Sequence, residues 1–128
     1  MKIEVAEEKG VCVVTLNEEV TCDNHRAFTD TIDGILDDGI MDVILDISNV
    51  SYITSRGLGT IVGAYTVLKR RGGNLVLAGA NDEVQRSLSI TRLDKVLTMA
   101  ASRAAAIKTL QSSEKPAPTK QTPPDTLV

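Results

Sequence analysis

Two stretches of this chain, DVILDI at residues 42–47 and NLVLAGA at 74–80, have strand length and are nearly apolar on both faces. A strand apolar on one face can border water, whereas one apolar on both lies inside a sheet with material packed above and below it. Between them, Leu58, Ile61, Val62, Tyr65 and Leu68 fall at i, i+3, i+4, i+7 and i+10, one apolar stripe along a helix. Strands joined through a helix in this way are parallel neighbours in one sheet. The pattern therefore demands an α/β domain.

The other segments fit around that unit. Residues 2–6 (KIEVA) and 11–16 (VCVVTL) read as a hairpin about a Glu-Lys-Gly turn. A first helix is expected to start at Asp23 or Asn24, both residue types that cap helices, to bury Phe28, Ile32, Ile35 and Leu36, and to stop at Gly39. The second runs from about Ser55 to Arg71. Lys69, Arg70 and Arg71 complement the dipole in its last turn, and Gly72-Gly73 ends it. Asn81 caps a short third helix that turns Val84 and Leu88 inward, with Asp82 and Glu83 in its first turn. An edge strand is expected around Val96–Thr98, then an alanine-rich helix from Ser102 to Leu110 anchored by Ile107 and Leu110. The order ββαβαβαβα gives one domain over residues 1–111, a mixed four- to five-stranded sheet packed against about four helices. Residues 112–128 carry all four prolines and no apolar periodicity, and read as a disordered tail.

Composition removes several functions. With no Trp, one Phe and two Tyr, the chain lacks the aromatic platforms on which single-stranded nucleic acid stacks. A net charge of −3 is the wrong sign for a duplex, so no nucleic-acid partner is expected. The N-terminus has no apolar signal core, and no run of about 18 apolar residues exists. A cytoplasmic protein with no direct membrane insertion is the expectation. Cys12, Cys22 and His25 lack metal-site spacing, and Cys12, inside VCVVTL, reads as a small buried hydrophobe.

GLGTIVG at 57–63 has glycines spaced G-x-G-x-x-x-G, not the G-x-G-x-x-G of a dinucleotide site. It follows a loop of roughly seven residues where that fingerprint needs a tight turn. No G-K-[ST] follows, and no cofactor is expected. Gly59 and Gly63 share one helix face, where close packing is the expected role. Ser55 has no evident base: His25 lies on another helix and there is no G-x-S-x-G elbow, so the chain is read as not an enzyme. Ser55 suits a helix N-cap. A phosphoryl group there would meet free amides and the positive end of the dipole, and would repel a docked partner by adding a charge of about −1.5 to −2.

LDISNVSYITSRGLGTIVGAY, continuing to KRRGGNLVLAGANDEVQRSLSITRLDKVL, resembles the STAS domain in its stand-alone bacterial form, the anti-sigma factor antagonists. Asp46, Val50, Tyr52, Ile53, Ser55, Gly57, Leu58 and Gly59 carry the likeness, with Gly72, Gly73, Thr91, Leu93 and Asp94. The resemblance implies that Ser55 is phosphorylated by a cognate anti-sigma factor, a serine kinase. The unmodified antagonist binds that kinase, phosphorylation blocks binding, and a phosphatase restores it. It further implies a partner surface of Thr21, Asp23, Asp46, Thr54, Arg56, Gly57 and Gly59. Thr54 and Thr21 stand where the family usually has Asp, and Arg56 and Arg92 stand where it has a small residue and a glycine. Thr54 and Arg56 favour an alternative, a phosphorylation-independent STAS scaffold or regulatory subunit of a stress-signalling or lipid-transport complex. A small-molecule carrier using the face near Gly57–Gly59 is a third reading.

Overall fold

A computed structural model of the chain describes residues 2–111. The strands are β1 (Ile3–Glu8), β2 (Val11–Leu16), β3 (Asp42–Asp46), β4 (Asn74–Ala78) and β5 (Thr98–Ala100). The helices are α1 (His25–Asp37), α2 (Ser55–Arg70), α3 (Asp82–Ile90) and α4 (Arg103–Gln111), with a 3-10 turn at Leu93–Lys95. Strand order is sequential, β1-β2-β3-β4-β5. β1 is antiparallel to β2 and every other pair is parallel, which is the expected mixed α/β sheet. The tail at 112–128 lies outside the described residues.

Lys9 and Gly10 both take positive φ, so a two-residue turn closes the first hairpin in register Glu8↔Val11. That tight turn carries β1 two residues beyond its expected end. Alternate residues of the inner strands feed two cores. Cys12, Val14, Leu16, Val43, Leu45, Leu75 and Leu77 face α1, α2 and α3, where Phe28, Ile32, Ile61, Leu68, Val84 and Leu88 are buried. Val11, Val13, Ile44, Val76 and Ala78 face the opposite way and are covered by Ala106, Ile107 and Leu110 of α4. Cys12 is a buried free thiol in the first core, and burial, with Glu7 adding to it, raises its pKa.

Helices α1 and α2 end alike. Gly39 and Gly72 adopt φ of +79° and +83°, and the following amides, Ile40 and Gly73, donate back to the carbonyls of Ile35 and Leu68. Gly73 has a further reason to lack a side chain, since a Cβ there would lie 2.3 Å from the Met41 carbonyl oxygen. Ser102 caps α4 by accepting the Ala105 N–H at 3.1 Å.

Two expectations are corrected. The last strand is Thr98–Ala100 and not Val96–Thr98, because Val96 and Leu97 donate their amides to Leu93 in the 3-10 turn and so cannot enter the ladder. Asn24 borders α1 without capping it by its side chain. Its carboxamide instead braces the preceding loop, accepting the Thr21 N–H at 2.7 Å and donating to the Glu19 carbonyl at 2.9 Å.

Candidate functional site

The β3–α2 loop carries Ser48 to Thr54 and delivers Ser55 to the start of α2. It is held from three sides. Asn49 Nδ2 donates to Asn17 Oδ1 at 2.7 Å and the Ser51 N–H to Glu19 Oε2 at 2.9 Å, both reaching the β2–α1 loop. Asn81, the cap of α3, uses Nδ2 on the carbonyls of Val50 and Ser51 while its Oδ1 accepts the Val84 N–H. Thr54 closes the circuit, its hydroxyl donating to the Val20 carbonyl and accepting the Gly57 N–H at 2.9 Å.

Thr54 is therefore the N-cap of α2, with extended backbone (φ −82°, ψ 167°), and Ser55 is the first helical residue. This corrects the expectation that Ser55 caps the helix. Both residues carry a suitable hydroxyl, and the entry angle of the loop assigns the capping role to the earlier one. The Ser55 side chain makes no hydrogen bond among the described residues and is exposed. The first turn of α2 contains no carboxylate. Its positive dipole end is opposed by nothing within the turn, and the cation Arg56 stands beside it, exposed.

Thr21, half-buried, and Asp23, exposed, occupy the adjacent β2–α1 loop, where Thr21 Oγ1 accepts the Asp23 N–H at 3.2 Å. Gly57 is buried, and a Cβ there would sit 3.3 Å from Ile53 Cγ2, Thr54 Oγ1 and the Val20 carbonyl alike. Gly57 is thus where α2 packs tightly on the loop. Gly59 and Gly63 are not, and the expectation of close packing for them is overturned. Both are exposed, and a Cβ at either would meet nothing within 4 Å. They border an open groove of about 720 Å³ between α1 and α2, floored by Phe28 and Ile32 and flanked by Cys22, Ser55 and Arg56.

Asp46 does not belong to this exposed surface, contrary to the implied partner set. The residue is buried, at 7% exposure, on the sheet face that α4 covers. Oδ2 accepts from Arg103, and Oδ1 accepts from the Ser48 amide and hydroxyl. Burial by itself would raise its pKa. The hydrogen bonds from Ser48 and the Arg103 guanidinium outweigh burial and hold the carboxyl below its ordinary value. Sequence reasoning missed Arg103, Asn81's second role and Glu19. Arg103 lies 57 positions from Asp46, and no local pattern signals such a pair.

Among the described residues no cluster of His, Cys, Asp or Glu could hold a metal ion, and no helix is long and apolar enough to cross a membrane.

These features define a small α/β domain that presents a braced loop and an unbonded serine at the head of its second helix. The chain belongs to the STAS-domain family, whose model matches residues 2–106. It is 28% identical over 102 residues to a Paenibacillus polymyxa protein named anti-sigma F factor antagonist, covering 76% of this chain and 84% of the relative. A Thermotoga maritima crystal structure superposes with a TM-score of 0.81 at 26% identity, covering 86% of this chain and 95% of that one. The phosphorylated form of the Bacillus cell-fate determinant SpoIIAA shares the fold, with a TM-score of 0.67 at 16% identity over 86% of this chain and 100% of that one.

Proposed function

We propose that this chain is an anti-sigma factor antagonist, switched by reversible phosphorylation of Ser55. The observation that carries the reading is the division of labour at the head of α2: Thr54 does the capping, which leaves the Ser55 hydroxyl exposed and unbonded. A kinase can take that hydroxyl without unpicking the helix. A phosphate added there is stabilised by the amides and dipole of α2 and can pair with Arg56. The same charge spoils complementarity with a docked protein. The partner is an anti-sigma factor with serine-kinase activity, bound in the cytoplasm through Ser55, Arg56, Gly57 and Gly59, with Thr21, Asp23 and Thr54 alongside. A serine phosphatase resets the switch. In this cycle the chain is a substrate and a switch, with no catalytic residue of its own. The name of the Paenibacillus relative supports the reading.

The test compares the parent with Ser55→Asp for binding to the anti-sigma factor encoded in the same genome. Ser55→Asp is expected to lose binding by about tenfold or more, as an uncompensated charge placed in an interface does, while its Tm stays within a degree or two of the parent's. Equal binding by both proteins would remove the switch. Arg56 favours the scaffold reading, because a bulky cation beside Ser55 can obstruct a kinase pocket. Faster phosphorylation of Arg56→Ser than of the parent would mark that obstruction.

A further inference from the structure

Among the described residues, three helices cover one face of the sheet, and α4 alone covers the part of the other face that is buried. Ala106, Ile107 and Leu110 supply its apolar contacts, and its first residue, Arg103, supplies polar ones. The guanidinium donates to Asp46 Oδ2 through Nη2 at 2.8 Å and Nε at 3.3 Å, and to Thr15 Oγ1 through Nη2 at 2.9 Å. Asp46 Oδ1 accepts the Ser48 N–H at 3.0 Å and the Ser48 hydroxyl at 2.7 Å. One carboxylate thus holds α4 on one oxygen and the first residues of the β3–α2 loop on the other. Ser48 is confined from behind as well, since a Cβ on Gly79 would lie 2.8 Å from Ser48 Cβ.

We propose that Arg103 is a positioning residue for the loop that leads to Ser55, acting through Asp46, so that seating of α4 and order at Ser48–Val50 rise and fall together. The coupling stands on these hydrogen bonds alone. Its consequence, that loosening α4 weakens partner binding, rests on the reading of Ser55 given above. The rival is that Asn81 and Glu19, which tie Val50 and Ser51, hold the loop without help from α4.

Residue-resolved amide exchange on the full chain separates the two. In Arg103→Met, which keeps the stem and removes the donors, Asp46 loses its charged partner. Protection at the Ser48 amide, bonded to Asp46, and the Val50 amide, bonded to the Ile47 carbonyl, is then expected to fall about tenfold. Arg103→Lys, able to make one of the contacts, should recover part of it. The Gly57 and Val84 amides, held by Thr54 and Asn81, should keep theirs. Unchanged protection at Ser48 and Val50 overturns the proposal, and so does an equal loss at Gly57 and Val84, which would mean general loosening.

A pH titration gives a second readout that mere loss of stability would not reproduce. Among the described residues, the charged groups at Asp46 are Arg103 from α4 and, across that guanidinium, Glu8 from β1 at 3.8 Å. The Ser48 amide shift should report the Asp46 carboxyl, and its midpoint should move upward in Arg103→Met; an unmoved midpoint contradicts the proposal. Should the substitutions prevent folding, the parent alone decides: acidification must release the Ser48 and Ala106 amides together and ahead of the Gly57 and Val84 amides. Separate release of the first two, or release of all four at once, overturns the coupling. No partner enters these measurements, so their failure leaves the Ser55 reading standing.

Discussion

Thr54 and Ser55 are adjacent hydroxyl residues with separate tasks, and substitutions should separate them. Thr54→Ala removes the cap on Gly57 and the tie to Val20 together, and is expected to destabilise the fold by about 1–2 kcal/mol in a denaturant titration. A change below about 0.5 kcal/mol, the usual range for an ordinary surface site, would show that the hydroxyl does not brace the loop. Gly63→Ala should do the opposite. The added methyl meets nothing within 4 Å, so the helix gains up to about 1 kcal/mol from propensity alone. Destabilisation by that substitution would mean that α1 and α2 close more tightly than the groove between them suggests. At this scale the sequence placed the hydroxyls correctly but could not say which one caps, because a shift of one residue in helix entry leaves composition and spacing unchanged. It likewise located the glycines, while their packing depends on how far apart two helices lie.

The attachment of α4 includes a titratable pair, Arg103 and Asp46. Asp46 has a folded-state pKa below its ordinary value of 3.8, so the stabilisation it brings is present above that value and is lost as pH falls through the depressed folded one. Melting of the parent should therefore fall more steeply below about pH 4 than melting of Asp46→Asn, which has no carboxyl to protonate. Parallel slopes would contradict the account. The inner strands β3 and β4, the stop signals at Gly39 and Gly72-Gly73 and the Asn81 cap were all legible, because each is written in a few neighbouring residues. The ends of β5 were not: the 3-10 turn claims the Val96 and Leu97 amides, a competition within the backbone that side-chain pattern does not register. Nor could the sequence show that α4 covers a face of its own or that Arg103 reaches Asp46, since both follow from tertiary placement.

For the molecule as a whole, the sheet brings the β2–α1 loop, the β3–α2 loop and the cap of α3 to one end, where hydrogen bonds among Asn17, Glu19, Val20, Asn49, Ser51, Thr54 and Asn81 join them. Ser55 emerges from that braced end beside the groove between α1 and α2. A charge added to an exposed, unbonded side chain at a helix N-terminus leaves such a body intact and changes only what can dock on it. The measurement that tests this most directly is intact-mass and phosphopeptide spectrometry of the chain recovered from its own cells, in growth and under stress. The account predicts a phosphorylated fraction carrying its phosphate on Ser55, with the bound serine kinase retained only by the unmodified fraction. A chain that is unmodified in every condition, or that holds its kinase equally well when Ser55 is phosphorylated, would contradict it.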